Sequence, residues 1–304
     1  MIKQFHDEAK ISLASLLELL LLAALWGGSF NLLRVASPVF GPILLIELRV
    51  FTGLVVMFPF LYIYRQHHEL FKHWRTIAIV SLINMCLPFC LLAFASLSIG
   101  AGLISILNAT VPFFAALFGF LYFAQRLSRS AIIGLLIGFL GVLTLVLSDD
   151  LSVAMSGNLL AFLAAMLAAS LYRLSTHIIN QRLMGVSGLA ITVGSLFFST
   201  IFLIPLSITQ IPEEMPTGNI WLSVIVLGVF CTGLAYILFY RLIMKIGVHQ
   251  AVTVTYLVPV FSIFYGMMFL GETLTVAMIL GCLMVLLGVA VTTSRLFGLI
   301  RKGN

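Results

Sequence analysis

The stretch GVHQAVTVTYLVPVFSIFYGMMFLGETLTVAMILGCLMVLLGV, at residues 247–289, repeats the stretch GAGLISILNATVPFFAALFGFLYFAQRLSRSAIIGLLIGFLGV, at residues 100–142. The two stretches align without a gap at an offset of 147 residues. The matching pairs are Gly100 with Gly247, Val111-Pro112 with Val258-Pro259, Phe114 with Phe261, Gly119 with Gly266, Leu127 with Leu274, Ile132 with Ile279, Gly134 with Gly281, Leu136 with Leu283, Gly141 with Gly288 and Val142 with Val289. An internal repeat of this kind indicates that the chain contains two copies of one structural unit.

The composition of the chain indicates that most of its surface faces lipid. Of the 304 residues, 62% are hydrophobic and only 9% are charged, whereas soluble domains carry about 25% charged residues. A chain of this length holds about ten membrane spans of about 20 residues each. Its net charge is +6, but no basic stripe with interleaved aromatic residues is present, so we do not expect nucleic-acid binding. A repeat in so apolar a chain is typical of secondary transporters.

The apolar runs predict an all-α polytopic membrane protein with ten transmembrane helices. The runs lack the alternation of a membrane β-barrel, and lipid offers the backbone no hydrogen-bond partners, so helices are the expected form. The first run has no small-x-small cleavage site and is predicted to be an uncleaved span. The runs cover residues 16–33, 42–64, 75–95, 102–124, 131–147, 158–179, 188–207, 220–242, 250–271 and 276–293.

The basic residues predict the orientation of these spans. Thirteen Lys and Arg residues lie in the termini and in alternate loops, and only Arg34 lies on the opposite side. This bias places both termini in the cytoplasm. Residues 1–150 and 151–304 then form two halves of five spans each, and because five is odd the halves have opposite orientations. Such an inverted repeat has two near-equivalent packings, which is the basis of alternating access.

Four short motifs stand out in the chain: Leu25-Trp26-Gly27-Gly28-Ser29-Phe30, Glu47-Leu48-Arg49, Gln125-Arg126-Leu127-Ser128 and Gly271-Glu272-Thr273-Leu274-Thr275. They resemble motifs of the ten-helix drug/metabolite transporter superfamily, specifically its EamA-type exporters, and the resemblance covers residues 15–294. Gln125 stands where that family often has Glu. The resemblance implies export of amino acids, small metabolites or drugs across a bacterial inner membrane by a multi-pass protein.

Polar, aromatic and proline residues near the middle of the spans are the first candidates for a transport site. At about 1.5 Å per residue, the residues near mid-membrane are Trp26, Asn84, Pro88, Pro112, Thr232 and Pro259. The prolines are predicted to gate the site, because each removes a backbone donor and frees a carbonyl; a static kink is the alternative. Trp26 is expected either to line the cavity or to pack, and Asn84 either to line it or to join helices. Asn108 and Thr232 are further candidate substrate-binding residues.

Tyrosines on the cytoplasmic half of the spans form a second set of candidates. Tyr236 and Tyr240 are four residues apart and therefore share a helix face. Tyr172 and Tyr256 lie at a similar predicted depth. The set predicts an inner vestibule, with Tyr172, Tyr236 and Tyr256 as substrate-binding residues; an aromatic belt at the membrane interface is the alternative, and it suits Tyr240 best.

Charged residues near the outer ends of the spans are candidates for a gate. Glu47 and Arg49 are two residues apart and point to different faces of one helix. Possible pairs are Glu47 with Arg34 and Arg49 with Glu272, acting either as an outer gate, with Arg49 able to anchor a substrate carboxylate, or as structural ion pairs. No carboxylate is predicted at mid-membrane, so a central proton relay is not expected, and the coupling ion is left open.

The sequence predicts no cofactor, no metal site and no catalytic residue. Cys86, Cys90, Cys231 and Cys282 lie in apolar runs and are expected to be buried thiols. Expected partners are a small-molecule substrate and the lipid bilayer, and the chain is expected to be a monomer or homodimer, with Gly134-x-x-x-Gly138 as a close helix contact. The main expectation is an exporter of amino acids or related compounds; the alternatives are an importer or exchanger of a nucleotide-type metabolite or drug and, less favoured, a membrane enzyme.

Overall fold

A computed structural model describes residues 12–123, 129–148 and 158–300, and within these ranges the chain is helical and contains no strand. The all-helical expectation is therefore confirmed. The predicted motif at residues 125–128 and the predicted boundary between halves at residue 150 lie outside the described residues. The helices are α1 (Leu13–Ile63), α2 (His67–Ser81), α3 (Leu87–Ala95), α4 (Ala101–Asn108), α5 (Val111–Phe123), α6 (Arg129–Ser148), α7 (Leu159–Arg182), α8 (Gly188–Ser207), α9 (Gly218–Ile225), α10 (Ala235–Val252), α11 (Val254–Leu270) and α12 (Val276–Ile300).

Seven helical stretches of the described chain are long and apolar enough to cross a membrane, and Arg129–Leu145 and Val276–Thr292 are shorter apolar helices. The chain is thus a multi-pass membrane protein. The helix bounds follow most of the predicted runs. Two differences stand out: the helix continues through residues 34–40, and the stretch 102–124 is interrupted at Ala109 and Thr110. The stretch 220–242 continues to a bend at Gly247 (φ 83°, ψ 161°), within the predicted boundary between this stretch and the next.

Helix α1 bends sharply at Gly41, which separates a first arm (residues 13–40) from a second arm (residues 42–63). Gly41 has φ 70° and ψ 159°, a conformation that only glycine adopts without strain. The amides of Ile43 and Leu44, which have no helical partner after the bend, donate to Oε1 of Gln210 at 2.8 and 3.3 Å. The predicted loop between the first two spans is therefore replaced by this bend, because a side chain from a distant helix satisfies the freed backbone donors.

Two π-helical segments occupy positions related by the repeat offset. One covers Leu82–Cys86, between α2 and α3, and the other covers Val226–Leu234, between α9 and α10. Adding 147 to the first segment gives residues 229–233, which lie inside the second. Single-turn π segments recur at functional sites in helices. The two π segments thus agree with the offset of the sequence repeat, although they lie outside the two stretches that align.

Helices α6 and α12 pack antiparallel through glycines that the repeat also relates. A Cβ atom at Gly134 would lie 2.6 Å from the carbonyl oxygen of Gly288, and one at Gly288 would lie 2.6 Å from that of Gly134. A Cβ atom at Gly141 would lie 3.0 Å from the carbonyl oxygen of Gly281, and the reciprocal distance is 3.1 Å. Because Gly134 corresponds to Gly281 and Gly141 to Gly288, the two contacts exchange under a local two-fold axis. The expected small-residue packing in these helices is confirmed, as an intramolecular contact.

Helix α1 lies at the centre of the fold. Its first arm packs on α11, where Gly27 allows close approach to Phe261, and its second arm packs on the second π segment, where Gly53 approaches Thr232. On the other side, α3 and α4 pack on α7, and α2 packs on α8. The interior between these groups of helices is where the candidate site lies.

Candidate functional site

The guanidinium of Arg49, on the second arm of α1, is buried at the centre of the fold. Arg49 is only 6% exposed, and its Nε donates a hydrogen bond of 2.9 Å to Oγ1 of Thr232. Its Cζ lies 4.1 Å from the centre of the Phe89 ring. The second π segment carries Thr232, and Phe89 lies in the first turn of α3, directly after the first π segment.

Tyrosines complete the surroundings of Arg49. The side chains of Tyr172 and Tyr236 lie within electrostatic range of the guanidinium, and both are half-buried. Trp26 joins the group through an edge-to-face contact with Tyr236, at 6.0 Å between ring centres. We call Arg49, Phe89, Tyr172, Thr232 and Tyr236 the Arg49 cluster. It brings together residues from three of the sets that the sequence singled out separately.

The charge of Arg49 is not balanced by an acidic side chain. Within the described residues no carboxylate oxygen lies within 4.0 Å of its guanidinium, and its two terminal nitrogens donate no hydrogen bond to any of these residues. A buried guanidinium without a counter-charge is costly. The site is therefore suited to receive an anionic group.

The ion pairs expected from the sequence do not form. Arg34 donates instead to the carbonyl oxygen of Ser96 at 2.5 Å, and Glu272 binds backbone amides at the start of α4. Glu47 is 7% exposed, and its buried Oε2 has no hydrogen-bond partner among the described residues. The expected pairs do not form because Arg34 and Glu272 bind backbone groups instead, and Arg49 binds Thr232.

Glu272 belongs to a tight contact between the start of α4 and α11. Its Oε1 accepts from the amide of Ala101 at 2.7 Å, and its Oε2 from the amide of Gly102 at 3.3 Å. Oγ of Ser262 donates to the carbonyl oxygen of Ala101 at 3.0 Å, and a Cβ atom at Gly102 would lie 3.5 Å from Cα of Ile263. We call this the Gly100 contact. A carboxylate at a helix N-terminus stabilises both the free amides and the helix dipole.

The repeat predicts a second contact of this kind at residues 247–253, with Gln125 in the place of Glu272, but Gln125 lies outside the described residues. Among the described residues, a Cβ atom at Gly247, the partner of Gly100, would have no atom within 4 Å. Val248 is 54% exposed, whereas its partner Ala101 is fully buried. Val252 is 43% exposed and its partner Ser105 only 1%. The two halves thus use the same segment differently: one copy is closed and the other, which we call the Gly247 end, is open.

The prolines of the repeat have different local settings. Pro112 is the second residue of α5, just after the break at Ala109 and Thr110, where a helix needs no amide donor. Pro259 lies inside the continuous helix α11. Pro88 lies at the start of α3, directly after the first π segment. Of these three prolines, Pro259 is the one in a helix interior, and the gating role of each remains a prediction.

The remaining candidates lie outside the Arg49 cluster. Oδ1 of Asn84 accepts a hydrogen bond of 3.0 Å from Ser175 on α7, which fits the interhelical alternative. Asn108 ends α4, and its buried Oδ1 is without a hydrogen-bond partner in the described chain. Tyr256 is half-buried on α11. Tyr240 donates to the carbonyl oxygen of Gly188 at 2.8 Å and also bonds to Thr192, so it joins α10 to α8.

Sequence reasoning missed Phe89, Ser262 and Asn31. Phe89 is one of 25 phenylalanines, and nothing in its local sequence separates it from packing residues. Asn31 donates to the carbonyl oxygen of Ser262 at 3.1 Å and so joins α1 to the Gly100 contact. A buried Asn inside an apolar run is a detectable signal, since such residues need a partner in lipid.

The profile of the EamA-like transporter family matches the chain twice, over residues 13–147 and 155–294. A solved crystal structure superimposes on the chain with a TM-score of 0.64 at 18% identity, covering 94% of this chain and 98% of the other. At that identity the structure supports the fold alone.

Curated relatives of similar length are transporters. An uncharacterized transporter of Bacillus subtilis (strain 168), YoaV, is 23% identical and covers 88% of this chain and 93% of its own. An uncharacterized transporter of Archaeoglobus fulgidus is 22% identical, and the match covers 91% of this chain and 98% of that protein. A protein of Salmonella typhimurium named "Probable amino-acid metabolite efflux pump" is 25% identical, and the match covers 88% of this chain and 91% of that protein.

Proposed function

The chain belongs to the EamA-like transporter family, and from that premise we propose that it exports small metabolites, amino acids first, by alternating access between two inverted halves. The family and the curated relatives are transporters, not enzymes. The observation that carries the mechanism is the asymmetry between the Gly100 contact and the Gly247 end. Two copies of one segment, one closed and one open, are what an inverted-repeat carrier has in each of its end states.

The helical segments support the ten-span arrangement. At about 1.5 Å per residue, the 51-residue α1 is about 75 Å long, over twice the hydrocarbon thickness of about 30 Å. Its two arms, the six other long apolar stretches and the two shorter ones make ten segments in the described chain. The antiparallel α6–α12 pair fits halves of opposite orientation, because its members correspond under the repeat.

The charge bias assigns the two ends. With both termini in the cytoplasm of a bacterial inner membrane, the Gly100 contact lies on the outer side and the Gly247 end on the inner side. The structure then corresponds to an inward-open state. The outward-open state requires the Gly100 contact to break and the Gly247 end to close, in line with the gating roles proposed for Glu272 and the prolines.

The substrate class rests on two supports. The Salmonella relative carries an amino-acid efflux name, and the Arg49 cluster combines a cation with aromatic walls, which fits a small amphipathic solute. The direction of export follows from that relative and from the family resemblance. Candidate contacts to the substrate are Arg49, Tyr172, Thr232 and Tyr236, with Trp26 beside them.

Counterflow in proteoliposomes tests this proposal. Vesicles are loaded with an unlabelled pool of amino acids, other small metabolites and drugs, and the entry of each labelled member of this panel is followed singly, with protein-free vesicles as the control. A carrier is expected to give transient accumulation of a label above its external concentration. Absence of accumulation with every amino acid, metabolite and drug in the panel would contradict the proposed function.

A further inference from the structure

We propose that Arg49 binds the carboxylate of the transported solute, so that a carboxylate is required for recognition. This inference rests on the proposed function and specifies its substrate class: small carboxylic acids, including amino acids, with an apolar or aromatic body. It places the anchor in the Arg49 cluster at the centre of the fold, rather than at an outer gate.

The contrast with other basic residues supports this role. Arg241 and Lys245 pair with Oε1 of Glu18 at 2.8 Å each, in a setting open to solvent, and Arg34 has a carbonyl oxygen. Arg49 is more buried than these residues, yet its guanidinium contacts the hydroxyl of Thr232 and the ring of Phe89 and no anion among the described residues. Removing a guanidinium from water without a counter-ion is unfavourable, so an anion bound to Arg49 would offset the cost of burying its charge.

The contacts of Arg49 leave the two terminal nitrogens of its guanidinium available to a ligand. Thr232 holds Nε, and Phe89 covers one face of the group, which fixes its plane. The two terminal nitrogens are left, and a pair of parallel N–H donors matches the two oxygens of a carboxylate. The hydroxyls of Tyr172 and Tyr236, which have no hydrogen-bond partner among the described residues, are available as further donors.

A carboxylate fits the charge of the cluster better than a phosphate does. One guanidinium balances one negative charge, whereas a phosphate monoester carries a charge between −1.5 and −2 at about pH 7. Arg173 is adjacent to Tyr172 in sequence but points about 100° away from it on α7, and it is not among the groups within electrostatic range of Arg49. The aromatic rings of the cluster suit the apolar body of the solute.

The test compares three ligands of the wild-type protein: an amino acid that the counterflow panel identifies, its isosteric carboxamide, and the amine that lacks the carboxyl group. Affinities are measured by titration calorimetry on purified protein, and exchange is measured in proteoliposomes. The acid is expected to bind at least about thirtyfold more tightly than either analogue, because the loss of a buried charged hydrogen bond has at least this effect. This comparison requires no variant and therefore does not depend on refolding.

Substitutions then assign the effect to Arg49. Arg49→Gln should weaken the acid by at least about thirtyfold while leaving the carboxamide within about twofold, and Arg49→Lys should retain part of the preference. The control is Arg129→Gln, which removes an exposed charge at the start of α6 and should change neither affinity. Thermal melting of each variant verifies folding.

The outcomes separate this inference from the proposed function. Equal affinity for acid and carboxamide, or an equal loss of both in Arg49→Gln, overturns carboxylate recognition while transport stands. Tighter binding of a phosphate monoester than of the acid also overturns it. If no ligand of the panel binds or exchanges, the proposed function fails as well.

Discussion

Buried charged residues in this protein differ in whether their polar atoms have hydrogen-bond partners. Glu272 and Glu47 illustrate the two cases. Glu272 accepts hydrogen bonds from the two amides at the start of α4, whereas Glu47 has a buried oxygen without a partner in the described chain. The sequence marked both as candidates because charges are rare in apolar spans, but it could not distinguish them, since pairing depends on which helices face each other.

Replacing Glu272 by Ala should lower the free energy of unfolding by about 1 kcal/mol, because two amides at the N-terminus of α4 lose their acceptor. Glu272→Gln, which keeps an oxygen acceptor but loses the charge, should fall between this variant and wild type. Thermal or denaturant unfolding in detergent micelles measures the difference. Glu213→Ala, at an exposed position, is the matched control, and an equal effect of the two Ala variants would contradict the capping role.

At the scale of elements, the helix bounds were largely predictable and the interruptions were not. Apolar runs give the length of a span, because lipid forces the backbone to pair internally. The bend at Gly41 depends on Gln210, 169 residues further along the chain, and this contact has no local pattern. The sequence likewise did not predict the two π segments, although their positions agree with the repeat offset.

The α6–α12 pair should not tolerate a large side chain at its glycines. Gly134→Leu is expected to lower the free energy of unfolding by about 1–3 kcal/mol, because the first side-chain carbon would already lie 2.6 Å from the carbonyl oxygen of Gly288. Gly218→Leu is the control, since a Cβ atom there would have no neighbour within 4 Å. Equal melting temperatures of the two variants would contradict the close packing of α6 on α12.

The two repeat prolines should differ when each is replaced by Ala. Pro259→Ala restores an amide inside α11 and should stabilise that helix by up to about 3 kcal/mol, while slowing exchange severalfold if α11 must bend during transport. Pro112→Ala changes the start of α5, where the lost constraint is worth under about 1 kcal/mol. Melting temperatures and counterflow rates of both variants measure this. A faster rate in Pro259→Ala, or a larger effect at Pro112, would contradict the gating role of Pro259.

At the scale of the whole molecule, the repeat predicted from the sequence is accompanied by a difference between its two copies. The sequence alone indicates two similar halves, and it placed Arg49, Tyr172, Thr232 and Tyr236 among the candidates. It could not indicate that the Gly100 contact is closed while the Gly247 end is open, because the exposure of each segment depends on which helices pack against it. An account based on alternating access needs that difference to reverse during each cycle.

A reversible cross-link across the Gly100 contact would show whether this contact must open during transport. Gly102→Cys and Ile263→Cys are introduced together in a variant without the four native cysteines. The counterflow of that cysteine-free variant is measured first. A Cβ atom at residue 102 would lie 3.5 Å from Cα of Ile263, which is close enough for a disulfide between the two positions. Oxidation is predicted to abolish counterflow and reduction to restore it, whereas each single-cysteine variant should keep its rate under oxidant. Undiminished counterflow by fully cross-linked protein would contradict the claim that this contact opens during transport.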